Sequence, residues 1–562
     1  MPNQKGENSP SSDAHLRVVQ PLLTDFYQLT MSYGYWKTKK SNEHAVFEVF
    51  FRKNPFQGEF TIFAGLSDCI DLLSSFKFSK EDIDYLRTAF PTCVDEAFFD
   101  YLAQVTPKDV SLWSVPDGTL VFPREPIMRV EGPIILCQLL ETPILNSVNF
   151  ASLIATNAAR FRLAAGPDKK LFEFGLRRAQ GPDGALSASK YAYLGGYDAT
   201  SNVLAGKLFG IPVVGTHAHS FVCAYQAEPE TAFEQANSKG VPNAKLLDLT
   251  SSPFTLESLM SRAKYWLHQL SGLLDYSPYQ AHRGELAAFV NYAYSFPTHF
   301  VGLIDTFDVL RSGLPNYCAV SLALHEYGYR AVGLRIDSGD LAFLSLSVRE
   351  SFKTIATHFD LPWFEKMQIL VSNDLNEDTL YSLNHQQGNA VDAFCVGTNL
   401  VTCQKQPALG CVYKLVEIAG TPTMKLSAAA DKITLPGRKT VYRLFGKQGD
   451  ALLDLIQRTS EAPPRANTRI LCRHPSEPSK RVYVVPARVE EVMKLFWRNG
   501  EVITPLPTLE QSRQNVAQQM ELLRADYKRF LNPTPYKVSL SEELYNYTTD
   551  MWLRLVPIGE LT

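Results

Sequence analysis

Two histidines, His217 and His219, stand where the apolar run Gly210-Ile211-Pro212-Val213-Val214 gives way to Gly215-Thr216 and then to Ser220-Phe221. An imidazole at the end of a buried strand serves as general base, metal ligand or nucleophile, and the ordinary alternative is a polar cap on the following helix. Other apolar runs end the same way. Arg177 follows 171–174, Asp305 follows 301–304, Arg335, Asp337 and Asp340 close 331–336, and Gly397-Thr398 follows 393–396. A guanidinium suits a carboxylate or a phosphate. Carboxylates at strand ends suit Mg²⁺ with its shell completed by substrate phosphates, or ribose hydroxyls, or an arginine. A Gly-Thr turn offers backbone N–H groups and a hydroxyl to a phosphate monoester, though it is also a common strand-to-helix turn. Lys432 and Lys439 flank Pro436-Gly437, where they either hold a diphosphate or belong to a solvated hairpin. Tyr27, in the first turn of an N-terminal helix, reads by spacing as core packing. The sequence has neither GxxxxGK[ST] nor GxGxxG, so any nucleotide is not bound by a P-loop.

Positioning these groups requires strands whose carboxyl ends converge. From residue 171 the pattern becomes strand, turn and helix, repeated to about 400, with helices expected at 308–327, 341–358 and 377–384. A strand is predicted at 210–214. The economical fold is an α/β parallel barrel, incomplete or elaborated, with a doubly wound open sheet second. Before it, a helix at 25–36, strands at 44–51 and 58–65, helices at 65–76 and 80–89 and short strands across 111–130 read as an antiparallel α+β region. A long apolar helix over 136–162 leads from one to the other. The predicted parts are a flexible tail (1–16), a smaller N-terminal α+β domain (17–165), an α/β region carrying the site (166–420, with a helical insertion at 227–300 that opens on the polar stretch 228–237), and a C-terminal region (421–562). That last region is expected to complete the small domain and the barrel edge and to include a helix over 508–530.

Composition narrows the classes. The chain has 562 residues, 20% of them charged, and a net charge of −3, which lacks the basic field of a general nucleic-acid binder. Nine scattered cysteines form no CxxC pair, so neither a zinc knuckle nor a disulfide framework is indicated and a reducing, intracellular setting fits. No run of eighteen apolar residues predicts a membrane span.

At its strand ends the sequence resembles the nicotinate phosphoribosyltransferases, the eukaryotic-type members most. The blocks include LLTDFYQLTM (22–31), FEFGLRRAQGPDGALSASKYAYLGGYDATSNVLAGKLFGIPVVGTHAHSF (172–221), GELAAFVNYAYSFP (284–297), LIDTFDVLRSGLPN (303–316), GLRIDSGDL (333–341), VSNDLNE (371–377), VGTNLVTC (396–403) and KITLPGRKTVYR (432–443). The resemblance implies an irregular (β/α) barrel of the type II phosphoribosyltransferases with a smaller N-terminal domain and a C-terminal extension. It implies transfer of a phosphoribosyl group from 5-phosphoribosyl 1-diphosphate to nicotinate, coupled to ATP hydrolysis with Mg²⁺ or Mn²⁺, in a cytosolic homodimer with a shared active site. His219 matches the family's phosphorylated histidine in the pattern GT-x-AHSF; this chain departs by placing His217 at x. Tyr27, contributed by the partner subunit, and Phe174 match the rings that sandwich the pyridine. Arg335 matches the arginine on its carboxylate, with Thr216 and Arg177 nearby. Gly397 and Thr398 match the 5′-phosphate loop, Asp305 and Asp337 ribose or metal contacts, and Lys432 and Lys439 diphosphate or ATP contacts. A nicotinamide-specific relative, a decarboxylating quinolinate enzyme and an inactive paralogue are the competing readings.

Overall fold

The computed structural model describes residues 19–226, 244–385, 388–427 and 432–556, with Ile558 and Glu560. The tail expected over 1–16 and the polar stretch 228–237 lie outside the described residues. Six parallel strands form the sheet that matters for chemistry, in the spatial order Ala199–Thr200, Lys170–Glu173, Ala393–Val396, Gln368–Val371, Gly333–Ile336, Val301–Leu303. On one face Leu171, Leu334, Ile336, Ile369, Val371, Phe394 and Val396 are buried in the main core with the helices, and on the other Leu370, Ala393 and Cys395 pack with Phe172 and Phe174. The crossover helices Gly181–Leu194, Leu314–Glu326, Leu341–Phe359 and Glu377–His385 each return the chain to a neighbouring strand, which is what parallel pairing demands.

The strand predicted at 210–214 does not form. Only Val213 bridges, in parallel, to Thr200. Pro212 has no N–H to give a ladder, and Gly210 ends the helix Val203–Phe209 in a left-handed conformation at φ 69°. The segment instead runs between the two open edges of the sheet. Val214 donates to Thr200 O at one edge, and His217 Nε2 accepts from Leu303 N at the other, at 3.1 Å.

A second, seven-stranded sheet surrounds His44–Phe51, which pairs antiparallel with both Cys411–Ile418 and Met128–Pro133. With both its edges taken, the predicted return at 58–65 shrinks to Thr61–Ile62, which pairs with Leu120–Val121 instead. The strand Cys411–Ile418, expected within the barrel region, therefore lies in this sheet. The C-terminal region adds Lys494–Arg498 to the same sheet. It otherwise builds a six-stranded sheet of its own, from Lys439 to Ser541, rather than a barrel edge. The helix predicted over 508–530 stops at Leu522, and a short 3-10 turn follows at Ala525–Lys528. The helical run Ile134–Ala165 is long and apolar enough to cross a membrane by length and composition. Most of that run is buried among the sheets and helices, as a core helix is.

Candidate active site

The strand ends bring two clusters together. In the first, Arg335 on Gly333–Ile336 donates from Nη1 to Thr216 Oγ1 at 3.0 Å. Its guanidinium carbon lies 6.0 Å from the centroid of the Phe174 ring, which follows a strand separated from it by two others in the sheet. The buried Nε of Arg335 has no partner within the protein, so the fork is only partly satisfied. A planar cationic fork beside an aromatic face, with a hydroxyl at hand, suits a flat aromatic carboxylate. Phe174 is held from below by its neighbour. Glu173, fully buried, accepts from Ser189 Oγ at 2.8 Å, from Thr200 Oγ1 and from the N–H of Gly175. That carboxylate pins the strand end to the adjacent strand and helix. By sequence it reads as one more strand residue; only its buried polar partners reveal the role.

In the second cluster His219 opens the short helix His219–Cys223, and its Nε2 lies 3.2 Å from Asp305 Oδ1. The Asp305 side chain is 3% exposed and that of His219 43%. An ionised carboxylate only accepts, so Nε2 carries the proton and the lone pair of Nδ1 is left for chemistry. Ser338 Oγ donates to the other oxygen of Asp305 at 2.7 Å, and Ser372 Oγ donates to Asp337 Oδ1. Neither serine is conspicuous in the sequence.

His217, two residues away, has a different environment. It is buried among Phe221, Phe289 and Tyr292. Burial pushes its imidazole down to about 4, so at neutral pH it is an uncharged acceptor for Leu303 N–H. The two histidines thus differ in setting: His217 is buried and uncharged, and His219 is accessible beside Asp305.

Gly397-Thr398 ends the strand beside Phe174. A Cβ on Gly397 would come within 3.3 Å of Phe174 O, and one on Gly175 within 2.4 Å of Val401, so the two turns pack closely because both lack side chains. Arg177 is exposed on the 3-10 turn Leu176–Arg178, and Lys432 is exposed. Tyr27 sits half-exposed on the helix Phe26–Lys37, beside Asp25, Glu141 and Thr142. Among the described contacts none joins it to Phe174 or Arg335. The reading of Lys439 as a phosphate contact is corrected. Its side chain is 2% exposed, its Nζ pairs with Glu48 at 2.8 Å, and it donates to the carbonyls of Leu435 and Gly437. All its donor capacity is used inside the N-terminal sheet.

The parallel sheet and the groups gathered at its carboxyl ends are those of an α/β protein with a candidate active site at its strand ends. Comparison with known proteins specifies the kind. Models of the nicotinate phosphoribosyltransferase (NAPRTase) N-terminal domain and C-terminal domain match residues 22–149 and 438–548. The chain is 53% identical over 546 residues to a nicotinate phosphoribosyltransferase of Caenorhabditis elegans, covering 97% of this chain and 95% of that one. It is 50% identical over 552 residues to nicotinate phosphoribosyltransferase 2 of Arabidopsis thaliana, covering 97% and 96%. Its fold superposes on the crystal structure of human nicotinic acid phosphoribosyltransferase with a TM-score of 0.81 at 42% identity, covering 94% and 99%. The chain belongs to the nicotinate phosphoribosyltransferase family.

Proposed function

We propose that the chain joins nicotinate to 5-phosphoribosyl 1-diphosphate, yielding nicotinate mononucleotide and diphosphate, with ATP hydrolysed through a phosphorylated His219. This is the step by which nicotinate enters NAD synthesis. The observation that carries the reading is the meeting of Arg335, Thr216 and Phe174 beside a strand end where Asp305 holds an accessible imidazole. The carboxylate of nicotinate pairs with Arg335 and Thr216, its ring lies on Phe174, and Arg177 lines the approach. Gly397 and Thr398 take the 5′-phosphate, with Lys432 at the diphosphate or ATP phosphates. The six-stranded sheet, its edges bridged by 213–217, is read as the irregular barrel of the type II phosphoribosyltransferases.

The reaction needs little proton transfer from the protein. The pyridine nitrogen is already unprotonated at neutral pH and attacks the anomeric carbon as the C–O bond to diphosphate breaks. Binding orients the ring, and the positive charge developing on the ribose lies near the carboxylates of Asp305 and Asp337. Those two aspartates also fit a divalent cation that keeps waters and substrate oxygens in its shell. Among the described residues no three His, Cys, Asp or Glu side chains cluster into an all-protein cage. Bound there, Mg²⁺ or Mn²⁺ supplies charge neutralisation of the departing diphosphate. In the ATP step the free Nδ1 of His219 attacks the γ-phosphorus, ADP leaves, and water later takes the phosphoryl group. Asp305 meanwhile holds the Nε2 proton.

Tyr27 is half-exposed beside Asp25, Glu141 and Thr142, and among the described contacts none joins it to Phe174 or Arg335 of its own chain; the reading is a homodimer in which the partner subunit's Tyr27 covers the ring opposite Phe174. A cytosolic enzyme fits the free thiols among the described cysteines and the buried apolar helix. The test is His219→Ala. ATP hydrolysis and ATP stimulation are expected to vanish while slow transfer persists, and full ATP-stimulated turnover would overturn the assignment.

A further inference from the structure

The helix Arg283–Ser295 carries a carboxylate that the reaction above does not use. Glu285 is fully buried. Its Oε2 accepts from Ser312 Oγ at 2.6 Å and from Asn316 Nδ2 at 3.1 Å. Ser312 Oγ in turn accepts from His282 N at 2.8 Å, and Asn316 Nδ2 also reaches His282 O at 3.1 Å. The four residues close a ring that ties the start of this helix to the π-helical turn Val309–Gly313 and the helix after it. The other oxygen, Oε1, is buried with no partner within the protein. A buried carboxylate with one oxygen unpaired is costly, so its retention calls for a reason.

That reason lies in what the ring touches. The π turn packs directly against the exit of the strand Val301–Leu303: a Cβ on Gly313 would lie 1.9 Å from Ile304 O. Ile304 is the residue before Asp305. On the other side, the helix start packs on the chain just after the His219 helix, since a Cβ on Gly284 would lie 2.4 Å from Tyr225 O. Glu285 thus stands between the two backbones that present Asp305 and His219 to each other. The front of the same loop is fixed separately. Asp308 Oδ1 accepts from Leu310 N and Arg311 N, and the His282 ring stacks on Phe307 at 3.7 Å. π turns of this kind interrupt a helix where a side chain must be re-aimed.

We infer that Glu285 is a positioning residue: through Ser312, Asn316 and the close contact of Gly313 with Ile304, it sets the register of Asp305 against His219 Nε2. The inference rests on the role proposed above for His219. It touches neither Arg335, Thr216 nor Phe174, so it governs the imidazole cluster and leaves nicotinate binding alone. Burial pushes the carboxyl up to about 7, and the nearby Asp305 and Asp308 add to that push. An uncharged group of the same shape therefore meets the same surroundings.

Three variants of the full chain test this: Glu285→Ala, Glu285→Gln and Ser312→Ala. Ser312→Ala removes the hydroxyl's hydrogen bonds to Glu285 and His282 without leaving a bare cavity where the carboxylate was, and so covers the case in which Glu285→Ala fails to fold. Three quantities are measured: nicotinate binding by calorimetry, ³²P transfer from ATP to His219, and the rate at which diethyl pyrocarbonate modifies His219, located by mass spectrometry. The expected result for Glu285→Ala is ³²P transfer slowed at least tenfold and His219 modified several-fold faster, because its Nε2 loses Asp305, with nicotinate affinity within twofold of the parent. Ser312→Ala gives the same pattern more weakly, and Glu285→Gln restores the parent's values. An unchanged modification rate at His219 in both Glu285→Ala and Ser312→Ala overturns the inference, as does nicotinate affinity falling in step with ³²P transfer. Absence of ³²P on His219 in the parent protein, with the modification pattern as expected, removes the phosphohistidine reading and leaves the positioning role standing.

Discussion

Replacing His217 by glutamine separates a structural imidazole from a chemical one and puts a number on the difference. The amide oxygen of glutamine replaces Nε2 as acceptor for Leu303 N–H, which spans the gap between the sheet's open edges, and it does not titrate. In the folded protein the imidazole titrates at about 4 because burial disfavours its charged form, against about 6.5 in the unfolded chain. The unfolded state therefore binds more protons between these values. The stabilising contribution is complete above pH 6.5 and is lost as the pH falls toward 4. Linkage gives a loss of about 1.4 kcal/mol at pH 5.5 and about 2.5 kcal/mol at pH 4.5. Urea unfolding of parent and His217→Gln, followed by tryptophan fluorescence at pH 7.5, 5.5 and 4.5, isolates that loss, because every other group titrates alike in both proteins. The parent is expected to be the more stable at pH 7.5, by about 1 kcal/mol for the better packing of its ring, with the order reversed at pH 4.5. ³²P transfer from ATP is expected to survive in the variant. Parallel pH dependences in the two proteins would refute the buried neutral imidazole, and loss of ³²P transfer with unchanged folding would show that His217 takes part in the chemistry.

Arg335→Lys keeps the charge but loses the fork, and the nicotinate KM is expected to rise roughly ten- to a hundredfold, the worth of about 1.5–3 kcal/mol for charge-assisted hydrogen bonds; an unchanged KM places the carboxylate elsewhere. Lys439→Ala strands Glu48 in the core and is expected to cost about 3–5 kcal/mol of stability with an unaltered KM for 5-phosphoribosyl 1-diphosphate. A raised KM at parental stability would return Lys439 to the phosphates. Mixing Tyr27→Ala with His219→Ala chains, each expected to lack ATP-stimulated turnover alone, is expected to recover about a quarter of parental ATP-stimulated activity, because in a mixed C2 dimer one of the two shared sites is intact. No recovery after verified subunit exchange argues that Tyr27 serves its own chain.

The residues of the candidate site were legible because each belongs to a local pattern: an apolar run followed at once by Arg, Asp, His or Gly-Thr, even where, as at 210–214, the run does not form a strand. Asp305, Arg335 and Gly397 stand at the ends of parallel strands as that pattern requires. What sequence spacing does not carry is which distant segment pairs with which. The strand His44–Phe51 takes one partner 360 or more residues downstream and another about 80 to 90 residues downstream, not the nearby 58–65 segment, since its register joins Phe51 to Cys411, a separation of 360, and Ala45 to Gly132. Lys439 looked like a free cation because Glu48, its partner, lies 391 residues earlier. His217 and His219 are the same residue type two positions apart, and only burial distinguishes the acceptor in the aromatic pocket from the exposed imidazole on Asp305. Glu173 and Glu285 passed unremarked for a related reason: a positioning carboxylate is recognised by the buried donors around it, and those come from other elements.

The most direct test of the central claim is a crystal structure of the full chain with nicotinate bound. The pyridine carboxylate should lie on the Arg335 fork within hydrogen-bond reach of Thr216, with its ring against Phe174 and its nitrogen turned toward the Asp305 and Asp337 strand ends. Nicotinate bound at another site, with Arg335 still paired only to Thr216, would contradict it.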